Sequence, residues 1–432
     1  MTAQTIQELI WQYKIREAFW AAADDVMADP RKQALFLQIL SFKNNVAVLR
    51  PDYERIGRQA EQGGNPYMAY AYARLHDVLQ AWEDSDNIKE KYYTIAANNG
   101  IGDAYACLAY MYRDGDLGEQ DMEAYENLMR KAKGLRSEKA LQQTVRDLIY
   151  GNNGADTNPL KAYEFAENYV KEREFPNPAY YQLMAEADVR LGRKGNAICN
   201  FESAAKYGSN SAFYWWAIAE CCDERYNIVD RKRFKEIMQN GIDVYSADCF
   251  LMNALMSDDD EYEALELDGK AELNATLLNE LETGWMLGEC ECPYYLADYF
   301  ENGRYGFEQD YDKAWLWYSR GAAQRSTTCL GALSRMILDD GTAPSPYDES
   351  YAYECAYKGL LLGEDELLEV VIRGYINGFL PRHAAMIERK WLPEYEKLVC
   401  EIMDDHDIDS DEYDDSHEYL YDGEPEREIE ED

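Results

Sequence analysis

A short motif with paired glycines recurs along this chain, and it constrains the possible folds more than any other feature. Its copies are RDGDLGEQDMEAY at 113–125, YGNNGADTNPLKAY at 150–163 and ENGRYGFEQDYDKAW at 301–315. A glycine directly after a helix can adopt the left-handed conformation that closes the last turn. An Asp or Asn before the next helix can accept hydrogen bonds from its free N–H groups. Each copy therefore predicts two helices joined by a tight turn.

Nine short segments mark the beginning of a further apolar helical stretch, at spacings of 32 to 46 residues. A period in this range indicates stacked helix pairs, because one pair cannot bury its apolar face alone. We therefore expect an all-α fold, an αα-solenoid that forms a right-handed superhelix of about nine helix pairs. The marks are Asn65, Asp103, Glu138, Pro178, Asn210, Ser246, Cys292, Thr328 and Glu364.

The two ends of the chain differ from the repeats between them. Residues 1–50 lack the glycine pair and are interpreted as an N-terminal cap of two helices. One helix is predicted to begin at the capping-box pattern TIQE, from Thr5, and the other at Asp29, which precedes a proline. Residues 51–402 are predicted to form the solenoid. Residues 403–432 contain sixteen acidic residues and one arginine, so we expect a disordered acidic tail.

Two segments resemble the halves of a known helical repeat. ACLAYMYRDGDLG at 106–118 and DYDKAWLWYSRGAA at 310–323 are similar to the two helices of the Sel-one-like repeat, a relative of the tetratricopeptide repeat. The resemblance covers roughly residues 51–380. It implies an αα-solenoid whose curved inner face holds partner proteins, often as a scaffold or adaptor. The family has no shared catalytic residues.

The charge of the chain limits the classes of partner. The net charge is −40 at pH 7 and the pI is about 4.4. This argues against nucleic acid as a partner, because phosphates are bound by Lys and Arg. We expect a protein or peptide with a basic surface, held by a non-enzymatic scaffold. The alternative is an acidic immunity-type protein or nucleic-acid mimic that neutralises a basic toxin or DNA-binding protein. The oligomeric state stays open.

The residue patterns typical of enzymes are missing from the sequence. It contains neither G-x-S-x-G nor a phosphate loop nor H-E-x-x-H. The ten cysteines lie mostly in apolar helical patterns and are interpreted as reduced core residues. Asp407, Asp409, Asp411 and Glu418 match positions of a calcium loop, but Glu412 replaces its turn glycine. We predict no enzyme activity, catalytic residue, cofactor or metal.

The apolar runs of the sequence are too short for a membrane helix, which needs about 20 residues. The first residues, MTAQTIQELIWQYK, do not combine a basic segment with a following apolar one, as an export signal would. We therefore expect a soluble, cytoplasmic protein with no membrane partner.

Five side chains are predicted to line the inner face of the solenoid and to contact the partner. They lie on the first helix of a pair and point away from the second helix. Tyrosine, of which the chain has 36, suits surfaces that are partly buried and partly wet. Acidic side chains select a basic partner. The predicted residues are Tyr110, Arg113, Asp298, Glu301 and Arg335.

Overall fold

The fold is built from α-helices throughout the part of the chain that the structure describes. The structure is a computed structural model and describes residues 1–79, 85–118, 120–151, 156–223, 225–256, 262 and 264–397. The predicted tail lies outside these residues. The α-helices are α1 (Ala3–Trp11), α2 (Ile15–Ala23), α3 (Pro30–Ser41), α4 (Lys43–Val48), α5 (Tyr53–Glu61), α6 (Pro66–Leu79), α7 (Ser85–Asn98), α8 (Gly102–Asp114), α9 (Met122–Gly134), α10 (Glu138–Tyr150), α11 (Pro159–Glu172), α12 (Ala179–Arg190), α13 (Lys194–Lys206), α14 (Ala212–Cys221), α15 (Arg231–Asp243), α16 (Ala247–Leu255), α17 (Leu267–Met286), α18 (Cys292–Asn302), α19 (Tyr311–Ala323), α20 (Thr327–Leu338), α21 (Glu349–Leu361), α22 (Leu368–Ile376) and α23 (Ala384–Met386).

The helices follow the predicted repeat. Every second helix from α6 to α20 begins within two residues of a predicted mark, and the last mark, Glu364, precedes a 3-10 turn that leads into α22. We call these the A helices and the helix after each one its B helix. From α5 to α19 each helix contacts the next along the chain, and α8, α10 and α12 also contact one another. The prediction of an all-α fold of consecutive helix pairs is therefore confirmed.

The turns between A and B helices have the predicted conformation. The first glycine of each motif has a positive φ of 66° to 73° and ends the A helix. The residue before each B helix accepts a hydrogen bond from a backbone N–H three residues on, at 2.9 to 3.0 Å. The glycines are Gly115, Gly151 and Gly303, and the capping residues are Asp121, Asn158 and Asp310. Both ends of the turn are thus fixed by local interactions.

The second glycine of the motif at Gly306 also has a positive φ, of 76°. We expect Gly306→Val to lower the free energy of unfolding by about 1–3 kcal/mol, because a β-branched residue is strained in this conformation. Gly303→Val should act similarly. Gly195→Val is the control, since Gly195 lies in α13 with open space around it. Denaturant unfolding measures all three, and unchanged values for Gly303→Val and Gly306→Val would contradict the assignment.

Each of three B helices crosses the following A helix at a glycine. A Cβ atom built on the glycine would lie only 2.3 to 2.5 Å from the Sγ atom of a cysteine eight residues further on. Seven of the nine described cysteines are buried, and none of the nine forms a disulfide. The cysteines therefore act as small apolar residues at helix crossings. The pairs are Gly241 with Cys249, Gly284 with Cys292 and Gly321 with Cys329.

The first fifty residues form four helices, and the prediction of two is wrong. The chain turns between them at Tyr13 and Asp25, which have positive φ values, and at the extended residue Phe42. The capping-box prediction is also wrong, because α1 is capped earlier by Thr2, whose hydroxyl accepts a hydrogen bond from the backbone N–H of Thr5 at 3.2 Å. The beginning of α3 after Asp29 is as predicted.

The N-terminal helices contact turns that lie far along the chain. Each contact falls at the end of a B helix or in the turn that follows it. All of them lie within the first of two compact units, Met1–Cys329, and the second unit begins at Leu330. Residues early in the chain thus contact the ends of several later B helices. The contacts are Tyr13 with Ala205, Asn44 with Tyr245, Arg50 with Met286, and Asp114 and Asp116 with Arg325.

Candidate partner-binding face of the A helices

Four of the five predicted residues occupy two matched positions of the repeat. When Gly115 is aligned with Gly303, Tyr110 of α8 matches Asp298 of α18, and Arg113 matches Glu301. These four residues lie in the first compact unit, whereas Arg335 of α20 lies in the second. The surroundings of the matched residues can therefore be compared directly.

Tyr110 and Arg113 contact each other in α8. The guanidinium carbon of Arg113 lies 4.8 Å from the ring centre of Tyr110. The Tyr110 hydroxyl donates a hydrogen bond to Oε1 of Gln143 in α10 at 3.2 Å, and Nε of Arg113 donates to Oδ1 of Asp114 at 2.7 Å. Burial raises the pKa of Tyr110. Tyr110 therefore stabilises the contact between α8 and α10, and Arg113 is engaged by Tyr110 and Asp114 of its own helix.

The same face continues over α10 and α12. Arg146 holds the position of α10 that matches Tyr110. The hydroxyl of Tyr150 donates a hydrogen bond to Oε2 of Glu186 in α12 at 3.1 Å, and the guanidinium carbon of Arg190 lies 5.0 Å from the Tyr150 ring centre. Burial raises the pKa of Glu186, and Arg146 opposes this effect. From α8 to α12 the face is occupied largely by contacts among its own side chains.

Glu301 differs from its predicted exposed position. It is 7% exposed, and its Oε2 atom accepts a hydrogen bond at 2.7 Å from the hydroxyl of Tyr318 in α19. Glu301 thus contacts the B helix of its own pair. A sequence pattern that groups the two acids on one face does not show this contact.

Three side chains form an acidic stripe along α18, namely Glu291, Tyr295 and Asp298. They are spaced by four and three residues, so they lie on one face of the helix. The Asp298 side chain is 18% exposed and pairs with Arg304 at 3.2 Å. Burial raises the pKa of Tyr295, and the Glu291 carboxylate adds to this. Sequence analysis missed Glu291 and Tyr295, although their helical spacing from Asp298 was a usable signal.

Arg335 of the second unit is exposed and forms an ion pair with Asp340. Around it, α21 and α22 contribute to a separate apolar core that includes Tyr353, Val371 and Trp391. Arg335 is therefore a surface residue of the second unit, and its ion pair is with an acid just beyond its own helix.

Two other features are absent from the described residues, a cluster of metal ligands and a helix that could cross a membrane. In that part of the chain, no group of three or more His, Cys, Asp or Glu side chains is placed to hold a metal ion. Among the same residues, no helix has both the length and the apolar character that a membrane crossing requires.

A buried carboxyl at the beginning of α10 gives a pH-dependent prediction. Burial raises the pKa of Glu138 to about 7, although the Tyr169 hydroxyl donates a hydrogen bond to its Oε1 atom. Ionised Glu138 therefore disfavours folding. The stability that the protonated carboxyl contributes is complete below about pH 4.5 and is lost as the pH rises to about 7. We compare the free energy of unfolding of Glu138→Gln with that of the unmodified chain. We expect this difference to be about 1–3 kcal/mol more in favour of the variant at pH 8 than at pH 5.

Denaturant unfolding at both pH values measures this difference. The exposed Glu123→Gln, on α9, is the control and should show the same difference from the unmodified chain at pH 5 and pH 8. An equal effect of Glu138→Gln at the two pH values would show that the carboxyl does not titrate in this range.

Two solved structures are similar to this chain. The crystal structure of a Sel1 repeat protein from Oxalobacter formigenes has a TM-score of 0.39 and 15% identity, and the match covers 74% of this chain and 90% of that chain. The crystal structure of c5321, a protective antigen present in uropathogenic Escherichia coli strains displaying an SLR fold, has a TM-score of 0.32 and 13% identity, with coverage of 90% and 97%. No family model matches the sequence, and no curated protein matches it either.

Proposed function

We propose that this chain is a non-catalytic helical-repeat protein of the Sel-one-like kind that holds a protein partner on its A-helix face, and that the partner's contact surface is basic. The observation that carries this proposal is the acidic stripe on α18. Two carboxylates flank one half-buried tyrosine ring on a single helix face. This arrangement suits Lys or Arg, which can pair with the acids and lie over the ring.

The charge of the whole chain supports the same partner class. Residues 404–432 account for −15 of the net −40, so the remaining 403 residues still carry −25. Such a field attracts a basic protein and speeds its association, while contacts at the stripe determine the lifetime of the complex. Because all nine described cysteines are unpaired, a reducing compartment such as the cytoplasm is a suitable location.

The proposal is tested by capturing partners from native lysate with three purified baits at low and moderate salt. The first bait is the unmodified chain, and the second carries Glu291→Lys with Asp298→Lys. The third is the control, with Glu123→Lys and Glu126→Lys, two exposed positions of α9 that change the net charge equally. We expect the first and third baits to capture the same basic proteins. The stripe variant should capture about ten-fold less of them, or lower still.

Association kinetics with a captured protein complete the test. Raising the salt concentration from low to physiological should slow association several-fold and leave dissociation nearly unchanged. A partner with an acidic contact surface, or equal losses from both double variants, would contradict the proposal. A single basic toxin or nuclease would favour a neutralising protein over a scaffold.

A further inference from the structure

A polar cleft of about 390 Å³ is formed by residues of α2, α5 and the beginning of α6, apart from the acidic stripe. Its walls include an arginine, an aspartate, three side-chain amides and a tryptophan. Its volume is near the lower end of the range of about 300–1,000 Å³ that is typical of small-ligand sites. The polar and aromatic lining residues are Trp20, Asp24, Arg55, Gln59, Gln62 and Asn65.

Arg55 is held in place without using its hydrogen-bond donors. Its guanidinium carbon lies 3.5 Å from the ring centre of Trp20, so the two planar groups form a close cation–π contact. Arg55 forms no ion pair with any residue that the structure describes, although the chain is strongly acidic. Its planar fork of N–H groups is therefore available for a carboxylate, which it can bind through two parallel hydrogen bonds.

Asp24 supplies the opposite charge in the same cleft. Its backbone carbonyl accepts a hydrogen bond at 2.6 Å from Nζ of the buried Lys32, which fixes the turn that carries the side chain. The Asp24 carboxylate is exposed and makes no ion pair within the described part of the chain. Asp24 and Arg55 thus line one cleft without pairing with each other, which leaves space between opposite charges.

The remaining groups suit the polar parts of a peptide. The amides of Gln59, Gln62 and Asn65 each offer donors and an acceptor, as a peptide bond does. The Asn65 oxygen is already engaged, since it accepts a hydrogen bond from the backbone N–H of Tyr67 at 3.0 Å. The indole nitrogen of Trp20 is enclosed and has no partner among the described residues. An enclosed donor without a partner is costly unless a ligand or water satisfies it.

We propose that this cleft binds a small zwitterion of the amino-acid class, with its carboxylate on Arg55 and its ammonium group on Asp24. A single guanidinium beside an acid disfavours a doubly charged phosphate, because Asp24 and the acidic chain repel it. A ligand with one charge of each sign gains from both side chains at once. A free amino acid and a short free peptide share this chemistry.

The test uses isothermal titration calorimetry of the full chain with three compounds. Dialanine carries both charges, N-acetyl-dialanine lacks the ammonium group, and dialaninamide lacks the carboxylate. Dialanine should bind at least about five-fold more tightly than either blocked form. Alanine alone distinguishes a single amino acid from a peptide as the preferred ligand. Inorganic phosphate tests for a general anion site.

Variants assign each charge to its side chain. Arg55→Gln should remove the preference for dialanine over dialaninamide. Asp24→Asn should remove the preference for dialanine over N-acetyl-dialanine. Arg58→Gln, at an exposed arginine of α5 outside the cleft, should bind as the unmodified chain does. Equal binding of all three compounds, no binding of either dialanine or alanine, tighter binding of phosphate, or equal effects of Arg55→Gln and Arg58→Gln would overturn the proposal.

Discussion

Replacement of Arg74 with leucine should lower the free energy of unfolding by about 2–4 kcal/mol, because it removes a buried guanidinium and leaves the Asp77 carboxylate, which is 30% exposed, without the cation it pairs with. The Arg74 side chain is 5% exposed and forms an ion pair with Asp77, and its Nε atom donates a hydrogen bond to the carbonyl of Leu40 at 3.0 Å. Burial alone would raise the pKa of Asp77, but the positive charges of Arg74 and Lys89 lower it to about 2.

Guanidinium unfolding of four variants measures this effect, namely Arg74→Leu, Asp77→Asn, their combination and a control. Arg58→Leu, at an exposed arginine, should change stability by no more than about 0.5 kcal/mol. The double variant Arg74→Leu with Asp77→Asn should lose less than the sum of the single changes, since no unpaired charge then stays buried. A loss below about 1 kcal/mol for Arg74→Leu would mean that the pair is solvated in solution.

Valine at Gly321 should lower stability by about 3 kcal/mol or more, because α19 and α20 cross there in direct contact. A Cβ atom at this position would lie 2.3 Å from Sγ of Cys329 and 3.1 Å from Cβ of Pro293. Neither neighbour is the free end of a long side chain, so the helices have to move apart.

Gly134→Val, near the end of α9, is the matched control, since a Cβ atom there meets nothing within 4 Å. We expect it to change stability by less than about 0.5 kcal/mol, because valine is no worse than glycine in a helix. Cys329→Ala added to Gly321→Ala should recover part of the loss that Gly321→Ala causes alone. If the two valine variants unfold at the same denaturant concentration, the crossing is not close-packed.

The repeat could be predicted from the sequence because its signals are local. The positive φ of Gly115 and Gly303 and the capping hydrogen bond of Asp310 involve residues only a few positions apart. The register of the helix pairs followed from these turns and from the nine marks at the beginnings of the A helices. The first helix was misplaced because Thr2 and Thr5 are both good capping residues, and the sequence does not show which hydroxyl meets a free N–H group.

The contacts of the N-terminal helices and most of the candidate site could not be predicted in this way. Arg325 pairs with Asp116 across 209 positions, and no local pattern distinguishes it from a solvated arginine. The burial of Glu301 depends on Tyr318, which reaches it from the next helix. Side chains on a repeat face take their roles from neighbouring repeats, so spacing within one helix predicts a face but not its exposure.

The contacts of the first helices with distant turns have a consequence for synthesis of the chain. A plain repeat array can fold as it emerges from the ribosome, because each repeat needs only its neighbour. Here the Tyr13 hydroxyl donates a hydrogen bond to the carbonyl of Ala205, and Asp116 accepts one from Arg325. In each case the partner is synthesised about 200 residues later. At about 5–20 residues per second, these groups stay without their final partners for about 10–40 seconds. Segments made well before their partners are thus completed late, which makes them a natural target for chaperones during translation.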